Sequence, residues 1–183
     1  MKTDKRIPES LGFTLIELMV VVVVIGILVA IAVPNYIGIR ERAYEASVKA
    51  NMHTVHAAIE EFNTLAGGIY PGDINTTVNE VNPNVTGAIG DMSLAGGTLT
   101  PPFPPNALLR PHPGFKNPFN IGYNVINDLS MPPPPVPPGD VIGCTYYSPY
   151  QADGTTPAVG GQGALAYKIS AYGARARLTL VLP

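Results

Sequence analysis

Disulfides, a basic surplus and a high charge content are all missing from this sequence. Cys144 is the single cysteine among 183 residues, so no disulfide can form within the chain and packing must hold the fold together. Eleven Lys and Arg face thirteen Asp and Glu, and charged residues make up only 13% of the chain. Nucleic-acid-binding proteins carry a clustered positive footprint, so we expect no nucleic-acid partner. We expect Cys144 to be a small core residue on a strand.

Recognisable catalytic motifs are missing as well. Ser, Cys and His occur without a nucleophile motif, and no Gly-rich phosphate loop precedes a helix. His53 and His56 are three residues apart on a predicted helix, and Glu60 follows His56 by four. Zinc needs three or four ligands, so this trio is either a weak metal site or a solvated helix face. The sequence predicts no enzyme, and it gives no reason to expect a cofactor.

What the sequence does contain is a long apolar run near its N-terminus. Between residues 13 and 33 only Thr14 and Glu17 are polar. At about 1.5 Å per residue, a helix of this length spans about 30 Å, enough to cross the hydrocarbon core of a bilayer. A carboxylate in the membrane costs about 2.5–3.5 kcal/mol, so we expect Glu17 to have a function.

The start of this run resembles the processing site of type IV pilins and pseudopilins. A charged leader, residues 1–12, leads into Gly12-Phe13-Thr14-Leu15-Ile16-Glu17 and then the apolar stretch. The resemblance implies that a prepilin peptidase cuts after Gly12 and methylates the new N-terminus at Phe13. It also implies that Glu17 pairs with the N-terminal ammonium of a neighbouring subunit during assembly. The implied partners are further copies of the chain in a homopolymer, the peptidase, an assembly ATPase and an inner-membrane platform protein.

Two other readings of the N-terminus compete with this one. Ala30-Ile31-Ala32 fits the cleavage site of a secretory signal peptide, and cutting there would release a secreted protein such as an enzyme. The apolar region is longer than usual for such a signal, it contains Glu17, and the helical pattern continues past the cut. The second alternative is a bitopic membrane protein with an extracytoplasmic binding head, whose glutamate lies close enough to the interface to reach water. We favour cleavage after Gly12.

Hydrophobic periodicity predicts one long helix over residues 13–66, ended by Gly67-Gly68. Residues 13–33 form its transmembrane and polymerisation half, and residues 34–66 its amphipathic half. Apolar residues of the amphipathic stripe recur mostly three or four positions apart, at Ile37, Tyr44, Val48, Met52, Val55, Ile59 and Phe62.

Gly26 and Pro34 are expected weak points of this helix. Pro34 has no N–H to offer the carbonyl four residues earlier, so we expect a kink there. The family resemblance adds a second possibility, that the stretch from Gly26 to Pro34 loses helical order inside a filament.

Composition changes sharply after the helix. Residues 67–140 form a connecting region rich in Pro, Gly and Asn, with proline runs at 101–105 and 132–138. Such runs are extended, polyproline-like surface segments, either stiff loops or motifs for a proline-reading partner.

Residues 141–183 are predicted to form a C-terminal antiparallel sheet, connected at Gly173-Ala174-Arg175 before its last strand. The predicted strands cover residues 141–147, 165–171 and 178–182, with a shorter candidate at 122–126. A sheet packed on the amphipathic helix makes the fold class α+β: a long N-terminal helix on a small antiparallel head.

The C-terminal half resembles the major pseudopilins of type II secretion. Gly68-Ile69-Tyr70-Pro71 and Asn117-Pro118-Phe119-Asn120 carry this resemblance, with Phe119 where the family has Trp and Asn117 replacing an acidic residue. Major pseudopilins often bind calcium through acidic residues near the C-terminus, but no acidic residue follows Asp153 here, so calcium binding is not supported.

The resemblance implies a structural filament subunit, favoured as a type II secretion pseudopilin with a type IV pilus pilin as the alternative. It implies storage in the bacterial inner membrane, followed by a filament in the periplasm or on the cell surface.

Overall fold

The protein is described by a computed structural model that covers residues 12–109, 115–128, 142–158, 161–174 and 176–179. The chain divides into two compact units, residues 1–40 and residues 41–183, and the second unit is called the head below.

Helix α1 runs from Leu15 to Ala66, close to the predicted 13–66. Its N-terminal part exposes its apolar side chains, and its part within the head buries one face. Side chains three or four positions apart make up this buried face: Val48, Asn51, Met52, Val55, Ala58, Ile59, Phe62 and Ala66. Tyr44 extends it by packing edge-on against Phe119, with ring centroids 5.0 Å apart. The amphipathic prediction therefore holds within the head, whereas Ile37, placed by the sequence on the same stripe, is 49% exposed.

Helix α1 ends where the sequence predicts, because the next two residues have backbone angles that favour glycine. Gly67 and Gly68 have φ angles of 79° and 98°. The Gly68 N–H donates to the carbonyl of Asn63 at 2.8 Å. The Asn82 side chain donates to the carbonyl of Ala66 at 3.2 Å, so the end of the helix is capped from a distant loop.

The connecting region contributes more to the core than its composition indicates. Its described residues include two short helices, α2 (Val78–Val81) and α3 (Gly87–Gly90). Among its described residues, the fully buried apolar side chains include Ile74, Val78, Leu94, Ala95, Leu109, Val125 and Ile126. Phe103 is buried against Phe115, with ring centroids 5.6 Å apart, so the prediction that 101–105 is a plain surface segment is wrong at Phe103. The second proline run, 132–138, lies outside the described residues.

In the part of the chain that the structure describes, four strands form one mixed sheet in the order β1-β2-β3-β4. They are β1 (Ile126–Asp128), β2 (Thr145–Tyr150), β3 (Ala166–Tyr172) and β4 (Arg177–Thr179). The β2–β3 and β3–β4 pairs are antiparallel, but β1 and β2 are parallel. The α+β class is confirmed, and the described strands within residues 141–183 are antiparallel as predicted. The addition of β1, which overlaps the shorter candidate, makes the sheet mixed rather than wholly antiparallel.

Strand β2 begins four residues later than the predicted strand and ends three residues later. Gly143, with φ at 80°, makes a turn and donates its N–H to the carbonyl of Tyr172, which delays the start of β2. Cys144 is buried as expected, but it lies just before the strand rather than on it. At the last connection, Gly173 donates its N–H to the carbonyl of Ala176, while Arg175 and residues 180–182 lie outside the described residues.

The head has one main core between α1 and the sheet. Tyr147 on β2 is fully buried in it and donates its hydroxyl to the carbonyl of Pro71 at 2.6 Å. Ile169 and Ala171 on β3 join the same core. Helix and sheet thus form the two layers expected of this fold class.

Candidate processing and assembly site

The predicted cleavage site lies in exposed, non-helical chain just before α1. Gly12 and Phe13 are both exposed, and the Phe13 side chain is 80% exposed. A Cβ atom added at Gly12 would meet no other atom of the chain within 4 Å. The chain itself therefore tolerates a larger residue at position 12, and any size limit there would come from a processing enzyme.

Thr14 and Glu17 cap the start of α1 together. The Thr14 backbone N–H donates to Glu17 Oε2 at 2.9 Å, and the Thr14 hydroxyl donates to the same oxygen at 2.7 Å. In return, the Glu17 N–H donates to Thr14 Oγ1 at 3.3 Å. This reciprocal pair is a capping box, with threonine at the N-cap and glutamate at the third helical position.

The capping box gives Glu17 a local role that the sequence reasoning missed. The Thr-x-x-Glu spacing directly before an apolar helix was the available signal. The contacts orient the carboxylate, but an amide and a hydroxyl carry no charge, so they do not neutralise it. A cation brought to this carboxylate can therefore still form an ion pair.

Glu17 lies in a shallow depression on the helix surface. Phe13, Ile16, Glu17, Val20 and Val21 line it, and all but the glutamate are apolar. A group that combines an apolar side chain with a neighbouring cation is chemically complementary to this depression, which combines apolar walls with one carboxylate. Among the described residues, α1 is the one helix long and apolar enough to cross a membrane by length and composition, and its most apolar window has no buried residue.

The two predicted weak points lie inside α1, which is assigned as continuous helix through both. A Cβ atom at Gly26 would meet nothing within 4 Å, so no close neighbour within the chain requires glycine there. Bending at Gly26 and Pro34 stays a prediction.

His56 of α1 lies beside a contact between helix and sheet. His56 Nε2 lies 3.7 Å from Glu60 Oε1, and the Tyr167 hydroxyl on β3 donates to the same oxygen at 2.6 Å. Burial and this acceptor raise the pKa of Tyr167. His53 is exposed. Glu60 therefore ties α1 to β3, and the part of the chain that the structure describes holds no group of three His, Cys, Asp or Glu side chains suited to a metal.

Asn117, which stands where pseudopilins have an acidic residue, is a buried clamp. Its amide nitrogen donates to the carbonyls of Asn124 (3.1 Å) and Ile142 (2.7 Å). Its side-chain oxygen accepts from the N–H groups of Phe119 (3.0 Å) and Asn120 (3.3 Å). A carboxylate has no donor for the two carbonyls, so this position requires an amide.

Asp128 and Asp153, the described carboxylates nearest the C-terminus, do not fit a calcium site. Asp153 accepts from the N–H groups of Thr155 and Thr156 and from the Thr156 hydroxyl, and these bonds lower its pKa. Asp128 is half-buried, and burial together with nearby Asp73 raises its pKa, which disfavours its charged form. Calcium needs six to eight oxygen ligands with charged carboxylates among them, and this donor set does not supply them.

Comparison with known proteins places the N-terminal motif in a defined family. Residues 10–33 match the family model of the prokaryotic N-terminal methylation motif. The chain is 44% identical over 62 residues to the type IV major pilin protein PilA of Myxococcus xanthus, covering 34% of this chain and 28% of that pilin. It is 40% identical over 89 residues to the type IV narrow pilus major component PilA5 of Thermus thermophilus, covering 49% of this chain and 68% of that protein.

A third relative is a secretion protein. The chain is 27% identical over 121 residues to the type II secretion system core protein G of Klebsiella michiganensis, covering 63% of this chain and 72% of the relative. No solved structure matches the chain. With its methylation motif, exposed apolar helix and α+β head, the chain belongs to the type IV pilin and pseudopilin family, whose members are structural filament subunits.

Proposed function

We propose that this protein is a major-pseudopilin-like filament subunit of a type II secretion system. A prepilin peptidase cuts between Gly12 and Phe13, and the subunit waits in the inner membrane until an assembly ATPase and a platform protein add it to a periplasmic filament. The observation that carries this proposal is the placement of Glu17, a capped carboxylate in an apolar, exposed depression at the start of α1.

Cleavage supplies the cation that this carboxylate lacks. The new N-terminus at Phe13 is an ammonium that stays cationic when methylated, and it is attached to an aromatic side chain. An incoming subunit would place that ring and ammonium against the depression of its neighbour, pairing the two charges. A carboxylate in apolar surroundings costs free energy until it is paired, so each subunit would favour addition of the next.

The rest of the apolar helix gives little net preference for either state. Moving residues 13–33 from lipid into a bundle of identical helices exchanges one apolar environment for another, so the hydrophobic term roughly cancels. Packing and the pairing of Glu17 with Phe13 then determine whether subunits assemble.

Two observations support secretion over a surface pilus. The 121-residue match to protein G is longer than α1 and its flanks, so it includes part of the head. The absence of any intrachain disulfide fits as well, since many type IV pilins close their C-terminal region with one. The alternative, a type IV pilus pilin, is supported by the higher identities to the two pilins over shorter stretches.

Deletion of the gene separates the candidates. The secretion proposal predicts lost export of secreted proteins with surface pili retained, and export restored by the wild-type gene but not by Gly12→Val, which should block processing. Lost pili with normal export would favour the pilin. Gly12→Val could instead restore export as well as wild type does while keeping its leader. Processing and assembly would then have no role in export, and the result would favour the bitopic binding protein.

A further inference from the structure

Exposed apolar surface on α1 continues beyond residues 13–33. Tyr36 is 66% exposed, Ile37 49% and Ile39 64%. All three lie in the first unit of the chain, residues 1–40, which ends with the exposed Arg40. If residues 13–33 alone occupied the hydrocarbon core, these side chains would lie outside it and would need another environment.

The spacing between Glu17 and Tyr36 matches the thickness of a bilayer. Nineteen positions separate them, and both lie in continuous helix. At 1.5 Å per residue their Cα atoms are about 28 Å apart along the axis, close to the core thickness of about 30 Å. No residue between 18 and 34 has a polar side chain. The carboxylate and the phenol therefore mark the two ends of one membrane-length apolar segment.

The residues around Tyr36 have the chemistry of a headgroup layer. Tyrosine is favoured at membrane interfaces because its ring is apolar and its hydroxyl reaches water. Arg40 lies one turn further along the same face, and a guanidinium complements anionic phosphate. A second copy of the chain could cover Ile37 and Ile39, but a helix–helix contact would take the Tyr36 hydroxyl out of water, whereas the headgroup layer buries the ring and keeps the hydroxyl hydrated.

We infer that Tyr36, with Arg40 one turn beyond it, anchors the unassembled chain in the lipid headgroup layer at the C-terminal end of the span. This inference rests on the membrane storage in the proposed function. With Tyr36 at one boundary of the core, Glu17 lies at the opposite boundary, where its carboxylate reaches water. Extraction toward the Tyr36 side would then carry Glu17 into hydrocarbon, so a membrane cost arises only as the subunit leaves.

Tryptophan fluorescence tests the anchor directly, since the chain contains no tryptophan. Tyr36→Trp keeps an interfacial aromatic, and Ile27→Trp places the control fluorophore near the middle of the apolar segment. Full-length protein carrying either change is reconstituted in phosphatidylcholine–phosphatidylglycerol vesicles with lipids brominated near the headgroup or deep in the chain. We expect shallow bromines to quench Tyr36→Trp more than deep ones, and the reverse order for Ile27→Trp.

The controls separate the anchor from the proposed function. Stronger quenching of both variants by deep bromines than by shallow ones would overturn the anchor, because Tyr36→Trp would then lie within the hydrocarbon core. That result would leave the membrane span intact. Loss of deep quenching in Ile27→Trp would instead contradict membrane storage. Shallow quenching of Tyr36→Trp should persist as protein is diluted into lipid. If this shallow quenching fell on dilution while quenching of Tyr36→Trp by aqueous acrylamide rose, a second copy of the chain would be what covers Tyr36, and the anchor would be wrong.

Discussion

Asn117 shows how strongly one side chain can depend on being an amide. It is 2% exposed, and its two donors and two acceptor positions all bond to backbone groups. Replacing it with Asp removes both donors and turns a carboxylate oxygen toward two carbonyls. Each buried polar group left unpaired costs about 1–3 kcal/mol, so Asn117→Asp should lower the free energy of unfolding by about 2–4 kcal/mol.

Asn120→Asp is the matched control in the same loop. The Asn120 side chain is exposed, and its oxygen accepts from the Gly122 N–H at 2.9 Å, a bond that a carboxylate keeps. Denaturant unfolding of both variants in detergent measures the difference. Equal losses of unfolding free energy in Asn117→Asp and Asn120→Asp would contradict the conclusion that position 117 requires an amide.

Asp128 predicts a pH dependence of stability in the head. Burial and nearby Asp73 raise its folded-state pKa above the ordinary value of 3.8. The stability it contributes is fully present below that value and is lost as pH rises through the folded pKa. Asp128→Asn should therefore raise the unfolding temperature at neutral pH relative to wild type, and the difference should shrink in acid.

Asp153→Asn is the comparison variant, because the stability that Asp153 contributes depends on pH in the opposite direction. Hydrogen bonds from Thr155 and Thr156 lower the pKa of Asp153, so its contribution is present above 3.8 and is lost as pH falls. Thermal unfolding of both variants across acidic and neutral pH tests the pair. If Asp128→Asn destabilised the protein at neutral pH, its charged form would be favourable in the fold.

At the scale of elements, the amphipathic part of α1 is stabilised by the face it buries in the head. Phe62 is fully buried there, whereas His53 on the same helix is exposed. Phe62→Ala should lower the free energy of unfolding by about 3–5 kcal/mol through lost burial and a residual cavity. His53→Ala should change it by less than about 0.5 kcal/mol. Denaturant titration of both variants measures these changes. A loss of unfolding free energy in Phe62→Ala as small as that in His53→Ala would mean that the helix does not depend on this core.

Local signals in the sequence were sufficient for α1 and for β3. A three-to-four-residue apolar period and two glycines define α1 to within two residues at each end. The stretch predicted at 165–171 forms β3 one residue later, at Ala166–Tyr172. Both results depend on patterns of neighbouring residues, which sequence displays directly.

The pairing of strands was not available from local patterns. The predicted strand ends at residue 147, yet β2 continues through Pro149 to Tyr150. The reason is tertiary: among the described residues, β1 pairs with β2 only at residues 145–147, and Pro149 lies beyond that pairing. The Pro149 carbonyl accepts from the Ala158 N–H at 3.1 Å, a bond that needs no donor on the proline. The parallel direction of β1 likewise depends on where a distant segment docks.

The start of α1 shows the same division between local and distant information. The Thr14–Glu17 capping box is a local pattern and could have been read from the sequence. The clamp at Asn117 could not, because its partners Asn124 and Ile142 come together only in the folded head.

At the scale of the whole molecule, assembly should depend on the charge of Glu17 rather than on its cap. Glu17→Gln keeps an oxygen that can accept from Thr14 but removes the charge, whereas Glu17→Ala removes both. Neither change adds a cost in the membrane, so both variants should reach it normally. An unpaired ammonium buried by an incoming subunit costs about 3 kcal/mol or more, so sheared filaments should nearly disappear in both. A wild-type yield of filaments from Glu17→Gln would show that the cap is sufficient for assembly without the charge.

The mass of the mature N-terminal peptide tests the central claim most directly, because membrane storage, the cation at Phe13 and filament assembly all depend on where the chain is cut. Mass spectrometry of protein purified from membranes should find a chain that begins at Phe13 and carries a methyl group on its amine. A mature chain that begins at Val33 would remove both Glu17 and the apolar helix, and would contradict the assignment as a filament subunit.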